Sequence, residues 1–465
     1  MLATYLQLLL VIAIAILATV AGCHALLYKR DPTAATGWLT VCILFPVAGP
    51  TLYFLLGVNR IQVRAQRLGT GHGPVTEGES AAIPVPASFS QQARISRAVT
   101  GLDITAGNAV SPLRDGEQAY PAMLDAIENA EQRVFLATYI FESNSAGQDF
   151  ADAMRRARER GVDVRVLVDG AGEWYSRPRI RHRLSQVGVR VARFLPPQLL
   201  PPRLLLNLRN HRKILVVDGR VGFTGGMNVG DRHYATKGGA KDIHFRLTGP
   251  VVSQIEAVFV QDWTYTTGDE TEPPPLATDQ NTGTALCRTV VHGPNEELSR
   301  LTMILVGAAA AAQRRLVIVT PYFLPPRELI AALQAAAIRG TRVDIVLPEH
   351  NNLPFVHWAT QNMLWELVKW GVKVYYRGGA FAHSKLFLVD DEYAQVGSAN
   401  MDPRSLRLNF ELMVEVYDRD LTADLTAEVD TIIEASRRVQ LADLDGRPLP
   451  IRLRDAFFWL FSPYL

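Results

Sequence analysis

Two stretches of the chain set a histidine two residues before a lysine, His211-Arg212-Lys213 and His383-Ser384-Lys385. In both, four residues separate the lysine from an aspartate (Asp218, Asp390). Six more separate that aspartate from a turn, Gly225-Gly226-Met227-Asn228 or Gly397-Ser398-Ala399-Asn400. The intervening runs, Ile-Leu-Val-Val and Leu-Phe-Leu-Val, read as buried strands. Residues i and i+2 of a strand share a face, so imidazole and ammonium point the same way while their neighbours enter the core. That pair suits a phosphate. The imidazole can attack phosphorus or move a proton, and Lys213, Lys385, Asn228 and Asn400, with the Gly226 and Ser398 turns, can hold the equatorial oxygens. A single His-x-Lys on a strand end is ordinary surface; two copies with identical spacing indicate duplication and one shared site.

The elements that must position these residues follow from apolar periodicity. In the first half, Ala119 to Glu131 reads as a helix, Arg133 to Phe141 as a strand, Gly147 to Arg160 as an amphipathic helix and Val162 to Val168 as a strand. The second half repeats the order, with helix 297–313, strand 316–323, helix 327–339 and strand 341–347. The landmarks Arg160-Gly161 and Arg339-Gly340 match between the halves. Alternation of this kind predicts an α/β fold with helices covering a sheet. Each half brings one His and one Lys, so the halves, 106–270 and 271–440, must face each other across a seam.

Ahead of them, Leu2 to Tyr28 is almost unbroken Leu, Ile, Val and Ala, and Trp38 to Val58 is a second apolar stretch bent by Pro46 and Pro50. The first residues carry no Lys or Arg, which disfavours a signal peptide despite the cleavage-like Val20-Ala21-Gly22-Cys23. Residues 1–60 are therefore expected to form a two-helix membrane hairpin. Arg60, Arg64 and Arg67, against Lys29 and Arg30 in the turn, favour a multi-pass inner-membrane protein with its catalytic part on the cytoplasmic side. Residues 61–105 begin rich in Gly, Pro, Ser and Ala and read as a flexible tether. Phe194 to Leu206, both apolar and Pro-rich, reads either as a buried loop or as a lipid-facing lip. In the tail, 441–465, the aromatic stretch from Ala456 either packs on the catalytic body or docks on an anionic membrane.

The surroundings of the doubled pattern are Tyr139-Ile-Phe141, Arg160-Gly-Val-Asp-Val-Arg165, Thr320-Pro-Tyr-Phe323, Gly397-Ser-Ala-Asn-Met-Asp-Pro-Arg-Ser405 and Asn409-Phe-Glu411. With these, the chain resembles the phospholipase D superfamily, and within it the bacterial cardiolipin synthases. The resemblance implies duplicated α-β-α sandwich halves and no cofactor or metal. It makes His211, Lys213, Asp218, His383, Lys385 and Asp390 the candidate catalytic set, with His211 as nucleophile and His383 as general acid and base. It also implies that a carboxylate holds the other nitrogen of each imidazole: Asp242 after His211, and Glu411 after His383. The family's usual aromatic-basic pair before that Asp is here Ala240-Lys241. The implied substrate is phosphatidylglycerol, as both phosphatidyl donor and acceptor. Asp218 and Asp390, a strand's length from their histidines, read as structural. Among other histidines, His24, His72, His350 and His357 lie away from the motifs, whereas His244, two residues beyond Asp242, is the extra one to watch.

Composition narrows the alternatives. A formal charge of +2 over 465 residues argues against a strongly basic nucleic-acid groove, and no nucleic-acid partner is expected. Cys23, Cys42 and Cys287 have no metal-ligand spacing. The rival readings are a hydrolytic phospholipase D or membrane-bound nuclease with the same two histidines, and an unreactive scaffold, which the intact motifs disfavour.

Overall fold

In the computed structural model, residues 2–29, 32–57, 85–196, 208–271, 281–293 and 300–462 are described. The chain divides into two units, Met1–Thr70 and Gly71–Leu465. In the first, Leu2–Tyr28 is a single helix, and Thr4–Tyr28 is long and apolar enough to cross a membrane. The expected second span is not one helix. It starts earlier, as Pro32–Leu44, breaks at Phe45–Val47 and resumes as Ala48–Leu52. Thirteen residues give about 20 Å, short of the roughly 30 Å of a hydrocarbon core. Pro46 supplies the break, because a proline inside a helix loses a hydrogen bond and clashes with the preceding turn. Small residues seat the second helix on the first: Ala21, Ala25 and Cys42 are buried together with Tyr53, whose hydroxyl lies 2.8 Å from His24 Nδ1.

The second unit is built on one sheet. Its first seven strands are β1 (Thr105–Arg114), β2 (Arg133–Thr138), β3 (Asp163–Asp169), β4 (Arg190–Phe194), β5 (Ile214–Val217), β6 (Val221–Gly225) and β7 (Ile243–Thr248). The next eight are β8 (Ala285–His292), β9 (Arg315–Val319), β10 (Arg342–Pro348), β11 (Lys373–Arg377), β12 (Leu386–Val389), β13 (Tyr393–Gly397), β14 (Glu411–Tyr417) and the two-residue β15 (Arg437–Arg438). Their order is β15-β11-β10-β9-β12-β13-β14-β8-β1-β7-β6-β5-β2-β3-β4. Outward from the β8–β1 junction the two sides run through the same series, so the duplication read from the motifs is also a duplication of topology. β1 and β8 pair antiparallel and join the halves into a continuous sheet. The inner parallel strands β2, β9 and β10 are buried along nearly their whole length, as strands covered on both faces must be, whereas the edge strand β4 is mostly exposed or half-buried.

Three cores form around this sheet. One lies under the helices of the first half, including Tyr120, Phe150 and Met154. Another lies under those of the second, including Ile304, Leu333 and Leu364. The third draws on both halves: Phe135, Phe245 and Phe259 pack in one cluster with Val319, Leu388 and Val414. The seam is thus closed by apolar burial, and the site above it inherits a rigid floor.

The expected tether needs correction. Residues 58–84 lie outside those described, but Ser90–Thr100 is a helix on the second half. Gln92 and Ser96 are buried, Ser96 Oγ donates to Glu415 at 2.6 Å, and Phe89 stacks on Tyr393. Sequence periodicity missed this helix because its buried face is polar and is satisfied by a buried carboxylate. The expected Pro-rich lip falls mostly on 197–207, also outside the described residues; Phe194 itself is buried at the end of β4.

Candidate active site

Both histidines sit just before their strands, where the backbone is fastened to the opposite half. His211 N–H donates to Phe410 C=O, and Phe410 N–H donates to Arg209 C=O, each at 2.9 Å. In the other half His383 N–H donates to Lys241 C=O at 2.7 Å, and Lys241 N–H donates to Phe381 C=O at 2.9 Å. Phe410 and Lys241 immediately precede Glu411 and Asp242. Each histidine is therefore stitched to the segment that carries the other half's carboxylate.

The side chains follow. His211 Nδ1 lies 3.0 Å from both carboxylate oxygens of Glu411, and His383 Nδ1 lies 2.8 Å from Asp242 Oδ2. The expected pairing within each half is thus reversed: the carboxylates cross the seam. The sheet explains why. β6 lies between β5 and β7, so His211 and Asp242 belong to strands about 10 Å apart, two strand spacings. The partner half brings its carboxylate much closer. Lys385 Nζ also lies 3.1 Å from His383 Nδ1. The shorter carboxylate contact governs the tautomer, because it gives Nδ1–H an acceptor and leaves Nε2 for chemistry.

Asp218 and Asp390 end the strands at the far side. Both adopt left-handed backbone, φ 54° and 55°, which aspartate tolerates better than most residues. Asp218 accepts the backbone N–H groups of Glu131, Gln132 and Arg133 at 2.8 Å. Asp390 accepts those of Gln313, Arg314 and Arg315 at 2.6–2.7 Å. They clamp the starts of β2 and β9 and do not reach the histidines, which removes them from the candidate catalytic set. Asp390→Asn is expected to cost about 1–3 kcal/mol of stability with turnover per folded molecule preserved. Denaturant melts alongside active-site-normalised rates check this; an activity loss without a stability loss would contradict it.

The turn residues divide differently from the expectation that all four face a phosphate. Ser398 Oγ is fully buried and donates to Glu411 Oε2 at 2.5 Å, so it holds the carboxylate. At the matching position a Cβ on Gly226 would meet the Asp242 carboxylate oxygens at 2.3–2.5 Å; glycine is there to make room. Asn228 uses Oδ1 to accept Ile140 N–H at 3.1 Å, which keeps its amide nitrogen as a donor. Asn400 is likewise buried. Lys213 and Lys385 each fold back to donate to the carbonyl of their own histidine. The aromatic rings of Tyr139 and Phe381 flank His211 and His383 at 5.5 and 5.8 Å. The departure at Ala240-Lys241 is benign: Lys241 Nζ pairs with Asp115 at 2.7 Å, and its backbone does the stitching. Among the described residues no group of three or more His, Cys, Asp or Glu side chains is placed to hold a metal ion.

A family profile described as "Cardiolipin synthase, PLD-like domain" matches residues 123–263 and 305–433, more than half of the chain. The chain belongs to this family. A second profile, described as phospholipase D-nuclease N-terminal, matches residues 8–57. Among relatives, the chain is 32% identical over 459 residues to the major cardiolipin synthase ClsA of Bacillus subtilis, covering 94% of this chain and 95% of that one. It is 29% identical over 460 residues to the cardiolipin synthase of Oceanobacillus iheyensis, with the same coverage. The crystal structure of phosphatidylserine synthase from Haemophilus influenzae Rd KW20 aligns with a TM-score of 0.63 at 18% identity. It covers 81% of this chain and 100% of that chain, a likeness of fold.

In this member of the cardiolipin synthase family the two halves of the site are electrostatically unequal. Burial alone would raise Glu411, but His211, Lys213 and the Ser398 hydroxyl outweigh it and hold the carboxyl below its ordinary range. Asp242 stays raised by burial in spite of Lys385, His233 and His244. Both imidazoles are lowered by burial; the neighbouring lysines add to this, and His383 is lowered the further. Burial also brings Lys213 down to about 7 and Lys385 to about 8.

A phosphodiester seated between the lysines would favour their charged forms and take up protons on binding. Affinity for a soluble diester such as glycerophosphoglycerol is expected to fall as pH rises from about 6 to 9, through the free-state lysine values. Calorimetry near pH 7.5, in buffers of different ionisation heat, should show proton uptake of roughly half a proton or more. No uptake would contradict the assignment of both lysines to the phosphate.

Some supporting residues escaped sequence reasoning. His233 is buried, accepts Asn228 N–H at Nε2 (3.1 Å) and lies with its ring 6.1 Å from that of His383. It fixes the Asn228 turn. Arg212, the residue between His211 and Lys213, is buried and bonds Asp262, Glu411 C=O and His292 C=O. Asp169 at the end of β3 accepts Asn210 N–H at 2.9 Å and pairs with Arg209 at 3.2 Å. These polar contacts brace the loop before His211 from below. The only sequence signal for Asp169 is an acidic residue ending an apolar strand. His244 is buried, with its pKa lowered to about 4 by burial, and stands behind Gly225 as a neutral core histidine.

Proposed function

We propose that this chain is a phosphatidyltransferase that moves a phosphatidyl group from one phosphatidylglycerol to another, giving cardiolipin and glycerol. The observation that carries the reading is the pair of imidazoles, each held at Nδ1 by a carboxylate of the opposite half, with the lysines beside them. His211 Nε2 attacks phosphorus, and the bond to the glycerol oxygen breaks. His383 gives that oxygen its proton, the bound anionic phosphodiester and Asp242 favouring its charged form against the burial that otherwise disfavours it. A hydroxyl of the second phosphatidylglycerol then transfers its proton to His383 as its oxygen attacks phosphorus, and the P–N bond breaks. Lys213, Lys385, Asn228 and Asn400 neutralise or bind the phosphoryl oxygens throughout. Glu411 supports His211 as nucleophile because its charge is the better secured of the two carboxylates.

The apolar N-terminal helix holds this chemistry at a membrane, where lipid acceptors are concentrated. On the charge pattern of 29–67, the body faces the cytoplasm. Incubation with phosphatidylglycerol alone tests the reading. Cardiolipin and glycerol in equal amounts are expected; phosphatidic acid as the main product would make the protein a hydrolase instead.

A further inference from the structure

The last helix, Leu449–Trp459, is built inside out. Its inward face carries a carboxylate: Asp455 is fully buried, with Arg447 and Arg454 both paired to it. Arg447 also donates to Gln361 at 2.8 Å, Arg454 lies 4.4 Å over the Trp358 ring, and Phe458 meets the same ring at 4.9 Å. This face, which also brings Phe458 and Trp459 onto the second-half core, seats the helix on the helix Pro354–Val368. The outward face is apolar. Leu449, Leu453, Phe457, Leu460 and Phe461 recur at helical spacing and are 45–67% exposed. Thirteen large apolar side chains of the second unit are exposed among the described residues, and these five fall within thirteen consecutive positions. A water-facing helix has the opposite arrangement, with its apolar stripe toward the core. The charge exposed on the helix is cationic: Arg452 is exposed and Arg454 is 39% exposed, while Asp455 is hidden. An apolar stripe flanked by arginines matches the interface of an anionic bilayer.

We infer that the face Leu449-Leu453-Phe457-Leu460-Phe461 docks on the surface of an anionic lipid bilayer and gives the catalytic body a second hold on the membrane. The contact rests on the reading that the body works on lipid in a bilayer, toward which the chain's own apolar helix also points. It turns the expected choice for the tail, packing or docking, into both: the Asp455 face packs and the exposed apolar face docks.

The test uses the full chain with Leu453→Cys carrying an environment-sensitive fluorophore. The background is Cys23→Ala; Cys42 and Cys287 are buried. In phosphatidylglycerol vesicles the label should shift to the blue and be quenched by lipids brominated near the headgroup. A pyrene at the same position should show no excimer. The double variant L453E/F457E, whose sites are exposed, should melt like the parent protein. It should turn over detergent-dispersed lipid normally and lose roughly tenfold on vesicles. A label that stays water-like and unquenched in vesicles overturns the proposal. So does excimer emission that rises with protein density, which would make the face an interface between copies. Quenching does not require turnover: a chain that quenches but makes no cardiolipin keeps the docking and loses the functional reading.

Discussion

With glutamine at position 411, formation of the covalent intermediate is expected to slow roughly a hundredfold, while asparagine at 242 leaves formation with an activated substrate nearly intact. The difference follows from the crossed carboxylates. Glu411 accepts Nδ1–H of His211 at both oxygens, which presents an unprotonated Nε2 and offsets the positive charge that grows as the ring attacks phosphorus. A glutamine amide can turn its NH₂ toward Nδ1 instead, and the proton then moves to Nε2, where it blocks attack. Asp242 supports His383, whose proton a p-nitrophenyl leaving group does not need. With phosphatidyl-p-nitrophenol, Glu411→Gln should therefore lose the burst of nitrophenol. Asp242→Asn should keep the burst and slow the steady state that follows it. Stopped-flow absorbance separates the two phases. The opposite pattern would mean that the nucleophile is the histidine supported by Asp242.

How far these assignments were legible in the chain varies from residue to residue. The doubled His-x-Lys, its turns and the alternation of strand and helix were readable because each depends on local periodicity, and the 15-strand order with matched halves agrees with them. The membrane reading was right about an apolar helix and wrong about the length of its partner, because Pro46 interrupts a run that composition alone treats as continuous. The partners of the histidines were misassigned for a geometric reason: proximity along the chain says nothing about a seam that brings the opposite half closer than the next strand but one. The roles of Ser398 and Gly226 were hidden for a different reason: each meets the carboxylate at the start of the neighbouring strand of its own half, a contact that only strand pairing makes. His233 and the Gln92–Ser96–Glu415 contacts are buried polar groups, and their patterns resemble solvated surface until their partners are seen.

Replacing His383 with asparagine has the largest consequence, because it removes the base that must activate the acceptor hydroxyl. Breakdown of the intermediate should slow roughly a thousandfold. Attack by His211 on an activated diester should continue, since the leaving group departs without help. His211 keeps its Glu411 contact and the neighbouring Lys213, so the adduct is formed in an otherwise unchanged half-site and accumulates. A phosphoramidate at imidazole is labile to acid and resistant to base, and both properties can be read on the isolated peptide. The decisive measurement is therefore peptide mapping of His383→Asn enzyme quenched in base during turnover of phosphatidyl-p-nitrophenol labelled at phosphorus. The account predicts close to one label per chain, on the peptide containing His211. Label on His383 in the His211→Asn enzyme, with none in the His383→Asn enzyme, would contradict it.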